Sequence, residues 1–161
     1  MKASNRTQAR ALALQALCLF DAMKNDFREQ LGKFLHDEEN FEDLGIESVD
    51  KELVDFARSL AEGAWEHCKE YDRMLVAAVP DWSIKRMPLV DRNIMRLGLH
   101  EWQTHSDTPF SVIVNEAIEL ARRFGGTDSP KFVNGVLDGI RKRTELAETA
   151  TPQPAPDTAK P

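Results

Sequence analysis

Cysteine is almost missing from this sequence: Cys18 and Cys68 are the only two in 161 residues. That is too few for a disulfide framework and suits a reducing compartment. Long apolar runs are missing too. No stretch approaches the ~20 residues that cross a bilayer, and the opening MKASNRTQAR has no apolar signal-peptide core. A cytoplasmic protein that does not engage membranes is expected. The eight glycines are scattered, and Gly125-Gly126 follows a helical pattern rather than a strand, so no phosphate-cradling loop is present. Histidine offers only His67-Cys68 and the pair His100 and His105. Their five-residue spacing turns the two rings apart on a helix, whereas helical zinc ligands need three- or four-residue steps. Glu116 and Glu119 share a helix without an acid/base partner and read as ion-pair partners for Arg122 or Arg123. No metal, cofactor or catalytic constellation emerges, and the chain is not expected to be an enzyme.

Apolar side chains make up 42% of the sequence, which is ample for a core. Alanine and leucine dominate them and favour helix, since neither loses much side-chain freedom there. The formal net charge of −6 hides an asymmetry. Residues 1–24 set Lys2, Arg6, Arg10 and Lys24 against Asp21 alone, whereas residues 25–80 hold six basic and fifteen acidic side chains. A basic arm on an acidic body suggests a polyanionic partner.

Periodicity predicts about seven helices and no strand. Asn5 is the expected first cap, followed by Leu12, Ala13, Ala16, Leu17, Phe20 and Met23 on one face. Asp26 caps a second helix bearing Phe27, Leu31, Phe34 and Leu35. The acidic stretch 38–47 reads as a loop. Ser48 caps one long helix with Val49, Leu53, Phe56, Leu60, Ala64, Cys68 and Tyr71 inward, ending before Pro80. Asp81 begins a short turn, and Pro88 opens a helix carrying Ile94, Leu97 and Trp102. Val112 to Phe124 is helical and stops at Gly125 in the left-handed conformation. Ser129-Pro130 starts the last helix, with Phe132, Val133, Val136, Leu137 and Ile140 inward. Asn115 and Asn134, poor helix formers, are expected to bond neighbouring helices. Arg92 and Arg96 are expected to pair with Glu101 or Glu116. From Ala147 the sequence is proline-rich and is expected to be a disordered tail.

The second half strings together Trp82-x3-Arg86, Asp91-Arg92-x-Ile94-Met95-Arg96-Leu97-x3-Glu101, Pro109-x2-Val112-x2-Asn115-Glu116-Ala117 and Lys131-Phe132-Val133-Asn134-Gly135-Val136-Leu137-Asp138. With Arg10-x4-Gln15-Ala16-Leu17, this closely resembles the NusB family of transcription antitermination proteins. The resemblance implies an all-α domain over 1–146, built from two small helical bundles at about 5–79 and 81–143, ahead of the 147–161 tail. It implies binding of the boxA segment of nascent ribosomal RNA together with the ribosomal protein NusE, within an RNA polymerase antitermination complex containing other Nus factors. The RNA-contacting residues it implies are Lys2, Arg6 and Arg10 in the basic arm and Asp128, Lys131 and Phe132 at the last helix start. Asp91 marks the implied NusE-facing surface. Physical reasoning agrees in part: the arm residues are four apart and can follow phosphates, and a ring at a helix start can stack on a base. Phe132 reads more readily as core than as a ring open to RNA.

Some positions depart from the family pattern. Thr7 and Gln8 thin the basic run, Cys18 stands where a tyrosine is frequent, and Lys85 replaces an acid. The alternatives are a protein-only helical adaptor and a detached NusB-like domain of an rRNA cytosine methyltransferase. The second would need a cofactor-binding domain that residues 147–161 do not encode.

Overall fold

The computed structural model describes residues 3–24 and 26–150. Among them are eight α-helices, one 3-10 turn and no strand: α1 (Ala3–Met23), α2 (Phe27–Phe34), α3 (Glu38–Asp43), α4 (Lys51–Glu66), α5 (Cys68–Ala78), the turn Ile84–Arg86, α6 (Leu89–Thr104), α7 (Phe110–Phe124) and α8 (Ser129–Ala150). Helices α1 and α6 lie at the centre; α4 packs on both, and α7 and α8 close the other side of α6. One continuous core runs from Leu12, Leu17 and Phe20 through Leu53, Leu60 and Tyr71 to Ile94, Leu120 and Val133. It crosses the expected bundle boundary near residue 80 without a break.

Several local expectations are corrected. Helix α1 starts before Asn5, whose amide reaches Asp50 at 3.5 Å instead of capping. The acidic 38–47 stretch contains a helical turn because the Asp37 carboxylate accepts from the Glu39 N–H at 3.1 Å. Gly45 then leaves it at φ +67°, a conformation that only glycine adopts at no steric cost. Asp50, not Ser48, caps α4 by accepting from the Leu53 N–H at 2.8 Å, which leaves Val49 exposed. The single long helix is two, broken at His67, whose ring bonds the Gly63 carbonyl at 3.0 Å. Gly125 is extended rather than left-handed. Its lack of a side chain matters for another reason: a Cβ there would lie 2.6 Å from the Ser129 Cβ. Helix α8 passes Ala147 and ends at Ala150. The rest of the expected tail, 151–161, lies outside the described residues.

The polar core differs from the expected pairing. Arg96 is 4% exposed and holds both Asp72 oxygens at 2.7 Å. Asp21 Oδ2 accepts from Arg92 at 2.7 Å, Asn93 at 2.9 Å and Arg96 at 3.0 Å. Burial pushes the Asp21 carboxyl up, but these donors and the two arginine charges outweigh it and hold it below the usual carboxylate range. Among the described residues Asn93 is the buried asparagine, whereas Asn115 and Asn134 are exposed. They fall outside the inward stripes set by Ile113 and Ala117 on α7 and by Val133 and Val136 on α8.

Candidate nucleic-acid interface

Arg6 and Arg10 are one turn apart on α1, yet their environments differ. Arg10 is 4% exposed. Its Nε and Nη2 donate to the two Glu101 oxygens at 2.6 and 2.9 Å, and Nη1 lies 3.6 Å from Glu116. Such a forked, charge-assisted pair fixes α1 to α6 and leaves little of the guanidinium for a phosphate. Arg6 keeps 32% of its side chain exposed, with only a loose 3.6 Å ion pair among the described residues, to the open Asp107. Its guanidinium lies 5.3 Å over the Phe56 ring. Lys2 lies outside the described residues. Thr7, one of the departures from a denser basic run, donates its hydroxyl to Glu116 at 2.9 Å.

The second stretch is the N-terminal turn of α8. Asp128 and Lys131 are exposed, and Lys131 forms no ion pair among the described residues. Phe132 is half-buried; its ring centre lies 5.6 Å from that of Trp82, with the planes 33° apart. Phe132 packs against the core and also meets Trp82. Trp82 entered the sequence reading only as part of a spacing motif. Its signal was an aromatic directly after the Pro80-Asp81 turn.

Asp91 does not face outward. It is 3% exposed and accepts a 2.7 Å hydrogen bond from the Ser129 hydroxyl, whose oxygen in turn accepts from the Gly126 N–H at 2.9 Å. Burial raises the Asp91 carboxyl above its ordinary range, with the Ser129 bond pulling the other way. The Asp91 side chain, expected to mark a partner-facing surface, is thus turned inward. Its carboxylate is buried against the α8 start and sets where Asp128, Lys131 and Phe132 stand.

The three described basic candidates do not converge on one pocket. Arg6 and Arg10 flank the α7 start with Asp107 and Glu116, while Lys131 and Phe132 border an open depression with Ala78 and Val136. No group of three metal-ligating side chains occurs among the described residues, and no described helix is long and apolar enough to cross a membrane. Accessible cations thus stand near the starts of two helices, Arg6 on α1 and Lys131 beside the Phe132 ring on α8.

Comparison with known proteins gives the family. The NusB family model matches residues 7–142. A transcription antitermination protein NusB of Desulforapulum autotrophicum is 42% identical over 137 residues, covering 85% of this chain and 91% of its own length. The NusB of Trichlorobacter lovleyi is 39% identical over 135 residues, covering 84% and 89%. Among solved structures, T. maritima NusB superposes with a TM-score of 0.70 at 32% identity, covering 89% of this chain and 96% of that one. A chain from a crystal structure of the antitermination factors NusB and NusE with dsRNA gives 0.72 at 25% identity, covering 88% and 99%. The chain belongs to the NusB family, and the resemblance read from its motifs is confirmed. Its relatives are named as antitermination factors, not as enzymes.

Proposed function

We propose that this protein is a transcription antitermination factor. It binds the boxA segment of nascent ribosomal RNA together with NusE, joins the other Nus factors on RNA polymerase and helps the polymerase read through terminators. It works by binding alone, without catalysis, in the cytoplasm. The observation that carries this reading is the likeness, over 88% of the chain, to a NusB solved with NusE and double-stranded RNA. Exposed Lys131 beside the Phe132 ring supports it, because phosphate contact and base stacking are the two requirements of single-strand binding. Arg6 serves as the accessible cation of α1, with Lys2 beyond the described residues. Arg10 serves indirectly by fixing α1, and Asp91 by fixing the start of α8.

The thinning of the basic arm, with Arg10 turned inward, favours a second reading: a protein-only adaptor that binds NusE without RNA. Titrating a labelled boxA oligonucleotide and a scrambled one, each with and without NusE, separates the two. Antitermination predicts boxA-selective binding that NusE strengthens. Equal affinity for both sequences, or no RNA binding beside intact NusE binding, overturns it.

A further inference from the structure

Helices α6 and α7 and the turn between them bring three carboxylates, Glu101, Asp107 and Glu116, to Arg6 and Arg10. Glu101 is buried in its pair with Arg10, and Glu116 is held twice, 3.6 Å from Arg10 Nη1 and accepting from the Thr7 hydroxyl at 2.9 Å. Asp107 differs from both. Its side chain is 66% exposed, and Arg6, 3.6 Å away, is its one ion-pair partner among the described residues. The Thr108 N–H donates to the His105 carbonyl at 3.0 Å, closing a turn with Asp107 at the third position and keeping that carboxylate beside the arm. Arg6 has donors to spare. A guanidinium carries five N–H groups, yet Arg6 Nε is buried without a hydrogen-bond partner among the described residues. Arg6, Asp107 and Thr108 line one hollow with Pro109 and Val112.

We propose that Asp107 is a built-in competitor for RNA phosphate at Arg6, an inference that rests on the RNA-binding reading above. A carboxylate and a phosphate are the same kind of acceptor for a guanidinium. Because Asp107 is tethered in the same chain, it meets Arg6 at high effective concentration, and an incoming phosphate gains only the difference between the two pairings. An exposed ion pair is weak, so the contact lowers affinity without closing the site. The Asp107 charge also repels the phosphate, an effect that salt screens. Phosphate contact carries no sequence information. The competitor therefore weakens binding to boxA and to other RNA by the same factor, and only RNA that makes further contacts is retained.

The test measures affinity for a boxA-containing single strand and a scrambled strand, at low and high salt, with unfolding midpoints in parallel. It compares full-length wild type, Asp107→Asn, Asp107→Glu, Arg6→Ala and the double variant Arg6→Ala with Asp107→Asn. Glu38→Gln, which removes the same charge from the exposed start of α3, is the control. Asp107→Asn is expected to bind both strands about threefold to fivefold tighter at low salt, with the gain fading at high salt. Asp107→Glu keeps the charge and stays near wild type. Without Arg6, the gain from Asp107→Asn falls below about twofold, because the two residues are coupled. Unchanged or weaker binding by Asp107→Asn, a gain that persists in full without Arg6, or an equal gain from Glu38→Gln or Asp107→Glu overturns the competitor and leaves RNA binding standing. Failure of every variant to bind either strand overturns the competitor and the RNA-binding reading together.

Discussion

Ser129 donates its hydroxyl to the Asp91 carboxylate at 2.7 Å across 38 residues of sequence, with both side chains buried. The bond joins the first turn of α6 to the first turn of α8. Because burial raises the Asp91 carboxyl, its contribution to stability is full below the ordinary carboxylate range and is lost as pH rises through the raised value. At neutral pH the ionised form therefore costs stability. Asp91→Asn keeps the acceptor and drops the charge, so it should be as stable as wild type or more so at pH 7. Ser129→Ala should lose about 1–2 kcal/mol by leaving that acceptor unsatisfied. Chemical unfolding of both variants checks this; a marked loss in Asp91→Asn with none in Ser129→Ala would refute it.

Arg10 should behave as an internal pin. Arg10→Met leaves Glu101, 2% exposed, without its partner, and should cost ~3–5 kcal/mol. The double variant Arg10→Met with Glu101→Leu should recover much of that loss, since apolar replacement of a buried pair is often neutral. Equal instability of single and double variants would show that the pair is not the cause.

His100 sets a pH dependence. Its pKa is lowered to about 4, first by burial and then by repulsion from His67 and His105, while its Nδ1 shares a 2.8 Å hydrogen bond with the Tyr71 hydroxyl. A histidine held neutral contributes stability above its ordinary value, and that contribution is lost as pH falls from about 6.5 toward 4. The loss should be on the order of 2 kcal/mol after allowance for solvent screening. His100→Gln keeps a hydrogen-bonding group without titrating, so its unfolding free energy should fall less over that window. An unchanged slope would reassign the effect to other groups.

Gly63 makes room for the same ring: a Cβ there would lie 2.0 Å from His100 Nε2. Because that ring is buried and bonded to Tyr71, it cannot swing aside freely. Gly63→Ala should cost ~2–3 kcal/mol, and pairing it with His100→Ala should relieve the overlap. Thermal melts of the single and double variants decide the matter.

The helices were legible because Leu12, Leu17, Leu53, Leu60, Val133 and Leu137 repeat at helical spacing, and each is buried. The break at His67 was not, because no proline or left-handed glycine marks it. Pairing inside the core escaped as well. Sequence spacing suggests partners one turn away, whereas Arg10 meets Glu101 across 91 residues and Arg96 meets Asp21 across 75. For the candidate site, the family resemblance pointed to the α8 start, but which cations are open depends on tertiary packing. That is why Arg6 and Arg10, four apart with the same chemistry, separated only in three dimensions.

The most direct test of the account is the salt dependence of boxA RNA binding for wild type, Arg6→Ala, Lys131→Ala and their double variant, each with NusE present. Each lost phosphate contact on a single strand should lower the slope of log K against log salt by about 0.7. The account predicts a drop of about 0.7 in each single variant and about 1.4 in the double, with unfolding midpoints near wild type. A double variant that keeps the wild-type slope would contradict RNA binding through the accessible cations of α1 and α8.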